Sequence, residues 1–199
     1  MTNQQFYAYD NIINTLSQYG GTQAMWNMYD KSGNVLLSNE NRNTSKNGTT
    51  GCVRATIGKS SGRWYWEIKF TSTSPDMYMG VATIAATVSR TPQSQATCWT
   101  IATDGGDYYN NGFIGVASGV WPAVNLDVLG FALNMDAGSL TLYRNNTVLT
   151  PTPLFTGLTG TIYPLLFIQN NANTATANFG PTGMSYSPPA GFNVGLYDL

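Results

Sequence analysis

An all-β fold, a two-sheet antiparallel β-sandwich, is what this chain predicts, and three observations predict it. Apolar and smaller or polar residues alternate with period two in its two strongest segments, Arg63–Phe70 and Asp127–Asn146. Roughly ten or more short strand-like runs follow one another between Gly, Asn, Asp and Pro turns. No convincing helical period occurs after residue 21. At 199 residues, 42% hydrophobic and 13% aromatic, the chain is long and apolar enough to bury a core.

The first 21 residues stand apart. Phe6, Tyr9, Ile13 and Leu16 fall on one stripe of a helix, Thr2 or Asn3 is placed to cap its start, and Gly20-Gly21 to end it. Residues 1–24 are expected to form a short arm, helical or extended, that attaches the 25–199 sandwich to something larger. From Met25 the signals are β. Trp26–Tyr29 and Asn34–Ser38 flank Asp30-Lys31-Ser32-Gly33 and predict a hairpin. Asn39–Gly51 is polar and turn-rich and predicts a mobile loop, after which Val53–Ile57 reads as a strand. Gly58-Lys59-Ser60-Ser61-Gly62 lacks the spacing of a phosphate loop and precedes a strand, so it reads as a turn.

In Arg63–Phe70 the residues Trp64, Trp66, Ile68 and Phe70 share one face, which must point into the core. Met77–Thr83 follows as a strand, Arg90–Ala96 as a loop, and Trp99–Thr103 and Phe113–Ala117 as strands around an Asp-Gly turn. Asp127–Asn146 reads as a hairpin closed by Met135-Asp136-Ala137-Gly138, with Gly138 free to take a positive φ and Asn145-Asn146 offering a second tight turn. Leu154–Gly160 is a glycine-punctuated connection. Ile162–Gln169 is nearly all apolar, as a strand buried on both faces would be, although Pro164 cannot donate to a ladder. Thr174–Phe179 is the last strand, before a Pro- and Gly-rich tail over Pro181–Phe192.

Charge excludes several functions. Net charge is −1 and the basic residues are scattered, so no nucleic-acid surface is expected. Charged residues make up only 10%, against roughly 25% in ordinary domains. Such a surface opposes association weakly and suits packing against other proteins or hydrogen bonding to sugars. There is no histidine, and two cysteines, Cys52 and Cys98, cannot build a zinc site. Spacing alone leaves a disulfide between them open, and buried free thiols are the simpler reading. No apolar run approaches the ~20 residues of a membrane span, and the N-terminus lacks a secretory signal pattern.

Three segments in order, Gly58–Phe70 (GKSSGRWYWEIKF), Asp127–Asn146 (DVLGFALNMDAGSLTLYRNN) and Tyr163–Gly180 (YPLLFIQNNANTATANFG), with Met79–Thr83 and Pro188–Phe192, resemble SPRY domains. These are B30.2-like sandwiches, here of jelly-roll type. The resemblance is nearest to the variety in bacteriophage structural proteins and spans about residues 25–192. It implies a binding scaffold whose variable loops at one end engage peptides or proteins. It further implies a virion component: a fibre, decoration protein or adhesin, assembled in the host cytoplasm.

Two surfaces carry candidate chemistry. Asp104 and Asp107 with nearby asparagines supply oxygen ligands of the kind calcium takes, yet their spacing is not that of an EF-hand, and a turn is the simpler reading. The same pair in a glycine-rich loop offers little of the burial a glycosidase acid needs, so no catalytic residue is assigned. Aromatic and amide groups at Tyr108, Tyr109, Asn110, Asn111 and Trp121, with Trp99 and Asn125 nearby, suit stacking on a sugar or gripping a peptide. The expectation is a non-enzymatic virion protein, without metal or cofactor, that contacts other virion proteins or a host-surface glycan or protein as part of a larger assembly. A free-standing carbohydrate- or peptide-binding module is the alternative, and a polysaccharide hydrolase a third class.

Overall fold

The computed structural model describes residues 21–72, 76–119, 121–169 and 173–198. Phe6, Tyr9, Ile13 and Leu16, and with them the expected arm, lie outside that set. The strands are β1 (Trp26–Lys31), β2 (Val35–Ser38), β3 (Asn43–Lys46), β4 (Gly51–Ala55), β5 (Arg63–Phe70), β6 (Met77–Thr83), β7 (Cys98–Ala102) and β8 (Asp107–Tyr109). There follow β9 (Phe113–Val116), β10 (Val128–Asn134), β11 (Ser139–Arg144), β12 (Thr147–Val148), β13 (Phe155–Thr156), β14 (Ile162–Ile168), β15 (Ala175–Asn178) and β16 (Asn193–Val194). One sheet runs β1-β4-β14-β6-β7-β8-β9 and the other β12-β11-β10-β5-β15-β3-β2, with β13 beside β11 and β16 beside β5. Every strand pair is antiparallel except β16 with β5. The expected sandwich is the observed one.

Its core is where the alternation placed it. Trp64, Trp66 and Ile68 of β5 stand opposite Leu133, Phe131 and Leu129 of β10, and the Trp66 and Phe131 rings stack 5.2 Å apart. Met77, Met79 and Val81 of β6 and Leu166 and Ile168 of β14 close the core from the other sheet. Each such side chain taken fully out of water contributes about 1.5–3 kcal/mol. Pro164 is tolerated inside a central strand for a geometric reason. Ile162 exchanges both backbone bonds with Lys59, so Pro164, two residues on, faces the same side. There the β4 ladder begins only at Leu165, opposite Arg54.

The structure departs from expectation near the start. Residues 26–38 do not form a hairpin: β1 pairs with β4 and β2 with β3, in different sheets. The Ser32-Gly33 corner is held by Ser32 and Cys52, whose backbone N–H groups donate to the Cys52 carbonyl and the Ser32 hydroxyl, both at 2.9 Å. Asn39–Gly51 is not one loop but contains β3. Its inward residues are Thr44 and Lys46, which donate to the Ala175 and Gln169 carbonyls at 3.2 and 2.9 Å. Within the Asp104–Gly112 turn lies the short strand β8. Cys52 and Cys98 are free, buried, and on strands separated by β14 and β6. Burial pushes the Cys98 thiol up to about 11 and that of Cys52 further, which leaves both unreactive.

Both outer faces are covered in part as well. Over the first sheet, residues 83–98 lie on Cys52, Leu165 and Phe167. Arg54 pins them: it grips Asp30 with two bonds, at 2.6 and 2.9 Å, and donates to the Thr83 and Ala86 carbonyls. Over the second sheet lies the tail. Glu67, 2% exposed, accepts the N–H groups of Ser185 and Tyr186 at 2.6 and 2.9 Å and the Tyr65 hydroxyl at 3.1 Å. Lys59, over the Trp64 ring at 4.0 Å, donates to the Tyr197 carbonyl, so the superficial phosphate-loop lysine is a structural clamp. Replacing Glu67 with alanine strands two part-buried N–H groups and the buried Tyr65 hydroxyl. A loss of about 2 kcal/mol in urea unfolding, with faster proteolysis within residues 181–192, is the expected outcome.

Candidate functional site

At one end of the sandwich, the long β9–β10 connection meets the tight β11–β12 turn. The junction is organised by Asp127, 7% exposed. One of its carboxylate oxygens accepts the Val124 N–H at 2.7 Å and the Arg144 Nε at 3.0 Å, and also pairs with Arg144 Nη2. The other accepts the Asn145 amide at 2.6 Å, and Asn145 in turn accepts the Val128 N–H at 2.9 Å. Arg144 also lies 5.2 Å over the Trp121 ring and donates to the Pro122 carbonyl. Burial by itself raises the Asp127 carboxyl, but the Val124 N–H, Asn145 and the Arg144 guanidinium together outweigh it and hold the group below the usual carboxylate range.

This network holds two aliphatic side chains out in water. Val124 is 52% and Leu126 60% exposed. Leu126 has φ of 72°, in the left-handed region, while its N–H donates to the Phe70 carbonyl at 3.0 Å. A branched-chain side chain there costs about 1–2 kcal/mol, and such strain persists only where the surroundings over-determine it. Val116 of β9 is a further exposed aliphatic, at 59%.

The sequence-predicted residues are divided by the fold. Trp121 belongs to this end, half-buried, with its Nε1 donating to the Ala117 carbonyl at 3.3 Å and its face under Arg144. Tyr108 turns into the core, edge-on to Phe155 at 5.6 Å. Tyr109 faces out, half-buried, and its hydroxyl donates to Asp107 at 3.1 Å; burial and that carboxylate push its phenol up to about 12. Asn110 spends its amide on the Ala96 and Cys98 carbonyls, at 2.9 and 2.8 Å. Asn111, exposed at φ of 52°, ties the β8–β9 turn to Gln95 through its N–H. Asn110 and Asn111 therefore brace the 84–97 loop, and with Tyr109 they lie at the opposite end of β9 from Trp121. Asp104 is exposed, and no cluster of three or more Asp, Glu, Cys or His groups assembles among the described residues. Sequence reasoning passed over Val124, Leu126 and Asp127 as a site. The signal available was an Asp two residues after an exposed-loop Asn and immediately before a strand.

Because the Asp127 pKa is lowered by folding, its contribution is complete above the unfolded value of about 3.9 and is lost as pH falls through the folded value. Asp127→Asn leaves Arg144 buried without its ion pair, and about 3 kcal/mol of stability is expected to go at pH 7. The gap between variant and parent in urea unfolding should narrow below roughly pH 4, where the parent also loses the charge.

The model of the SPRY domain family matches residues 63–182, more than half of the chain. Among solved structures, the SPRY domain of human HERC1 superposes with a TM-score of 0.69 at 15% identity, over 80% of this chain and 99% of that one. The TRIM65 PSpry domain gives 0.62 at 16%, over 79% and 92%. Stonustoxin gives 0.63 at 20%, over 79% of this chain and 27% of its own. At these identities the likeness is one of fold. No curated protein sequence matches.

Proposed function

The chain belongs to the SPRY domain family, and from that premise we propose that it is a non-catalytic protein-interaction module whose contact surface is the loop end around Val124 and Leu126. The observation that carries this reading is the strained Leu126, held outward by a buried ion-pair network that ties Val124, Asn145 and Arg144 to Asp127. Strain kept at an exposed apolar residue serves no folding purpose, because glycine would sit there more easily. Fixed, exposed apolar side chains suit the centre of a protein contact, where a few residues carry most of the binding.

The finer reading is a component of a bacteriophage particle, attached through residues 1–24, with the loop end turned to a neighbouring subunit or a host surface. It is supported by the resemblance of the three core segments to phage structural proteins and by the 10% charged content, which lets copies and partners pack with little repulsion. Removing residues 1–21 tests the arm: loss of incorporation into particles is expected, and normal incorporation sinks the role.

Leu126→Gly separates function from stability. Its thermal melting should match the parent or rise slightly, by up to about 1 kcal/mol, since the left-handed strain is relieved. Affinity for the partner retained by the immobilised chain, identified by mass spectrometry and measured by calorimetry, should fall by about 2 kcal/mol, roughly 30-fold. Undiminished affinity places the contact elsewhere.

A further inference from the structure

On the outer face of the second sheet, Gly130 of β10 stands between Tyr143 of β11 and Glu67 of β5 in one cross-strand row. A Cβ at Gly130 would lie 2.4 Å from the Tyr65 hydroxyl, so glycine leaves the space that the Tyr65 ring fills. Beside it is a cavity of about 110 Å³ lined by Tyr65, Tyr143, Asn146, Ser187 and Pro189. Small-molecule sites usually measure about 300–1,000 Å³. This one has room for a single side chain, as an anchor pocket in a protein contact does.

Its electrostatics are one-sided. Tyr65 is buried and its hydroxyl proton is committed to Glu67, so the phenol offers the cavity lone pairs rather than a donor. Behind it, the Glu67 carboxylate is held by hydrogen bonds alone and has no cationic partner among the described residues. On that face Arg63 leans to Asp136 at 3.7 Å, and Lys69 has no ion pair among the described residues. The lining supplies no positive charge. Asn146, Ser187 and Tyr143 hold neutral donors, but an anion would be repelled by the Glu67 carboxylate, and an aliphatic group would leave the Tyr65 oxygen and the Asn146 amide unmatched. A cation that donates hydrogen bonds fits the carboxylate field, and the tyrosine faces add cation–π attraction.

We propose that this cavity anchors one arginine or lysine side chain of a protein partner. The proposal rests on the reading of the chain as a protein-binding module, but uses a different surface from the loop end. The test is a two-dimensional NMR titration of the full chain with N-acetyl-arginine methylamide, N-acetyl-lysine methylamide and the neutral isostere N-acetyl-citrulline methylamide. Saturable shifts at the amides of residues 143–146 and 185–189 are expected from at least one cation, with citrulline binding roughly tenfold more weakly. Tyr143→Ala and Asn146→Gly, the latter preserving the turn at φ of 65°, should abolish those shifts while the spectrum stays dispersed. Leu126→Gly should leave them unchanged, so a failed loop end and a failed pocket give different results. The pocket assignment is overturned if citrulline binds equally, if neither cation gives saturable shifts, or if the shifts survive Tyr143→Ala.

Discussion

Irregular chain laid over a sheet carries backbone N–H and C=O groups that the sheet cannot pair, and the rest of this structure depends on how they are satisfied. The two inner faces alone would make a sandwich. Here part of each outer face is covered too, by residues 83–98 on one side and the tail on the other. Each cover is fixed by one buried charge projecting from a strand. Arg54 supplies donors for the carbonyls of Thr83 and Ala86, and Glu67 supplies acceptors for the N–H groups of Ser185 and Tyr186. The sign of each charge follows from which backbone group it must meet. A hydrophobic residue at either position would pack as well and pair nothing.

Asp127 applies the same device at the loop end, with Arg144 neutralising it. A carboxylate that accepts from Val124, Arg144 and Asn145 fixes three segments at once, which is what lets Leu126 stay at a φ its neighbours would otherwise release. Rigid loops lose little conformational freedom on binding, so more of the contact energy of an exposed side chain appears as affinity. The polar network and the exposed aliphatics are thus two parts of one arrangement.

The core was legible because it obeys the period of two. β5 and β6 fall on the expected Arg63–Phe70 and Met77–Thr83, and the Asp127–Asn146 hairpin closes with Gly138 at φ of 61°. Elements that break the rule were not legible. β3 turns Thr44 and Lys46 inward, so its alternation is polar against polar and reads as loop. A short Gly turn looks alike whether its strands pair or part into separate sheets, which is why β1 and β2 were expected to be partners. Tyr108 and Tyr109 are adjacent aromatics, and a three-residue strand sends one inward and leaves the other outward. At the loop end, Val124 and Leu126 alternate with Val128 as strand residues would, and a left-handed backbone leaves no mark in composition.

One turn joins the two surfaces. Tyr143 lines the pocket, Arg144 and Asn145 bond to Asp127, and Asn146 returns to the pocket, all within four consecutive residues. Asn145 and Asn146 both hold positive φ, at 47° and 65°, which makes this a tight hairpin turn with little freedom of its own. A partner that reached both surfaces would meet them at a fixed separation, and the second contact would need no further ordering of this chain. With only 10% charged residues, such recognition relies on shape, apolar contact and hydrogen bonds more than on long-range steering. Association would then run at the unsteered rate of about 10⁵–10⁶ M⁻¹s⁻¹, and the lifetime of the complex would be set by how well the apolar loop end and the tyrosine pocket are filled.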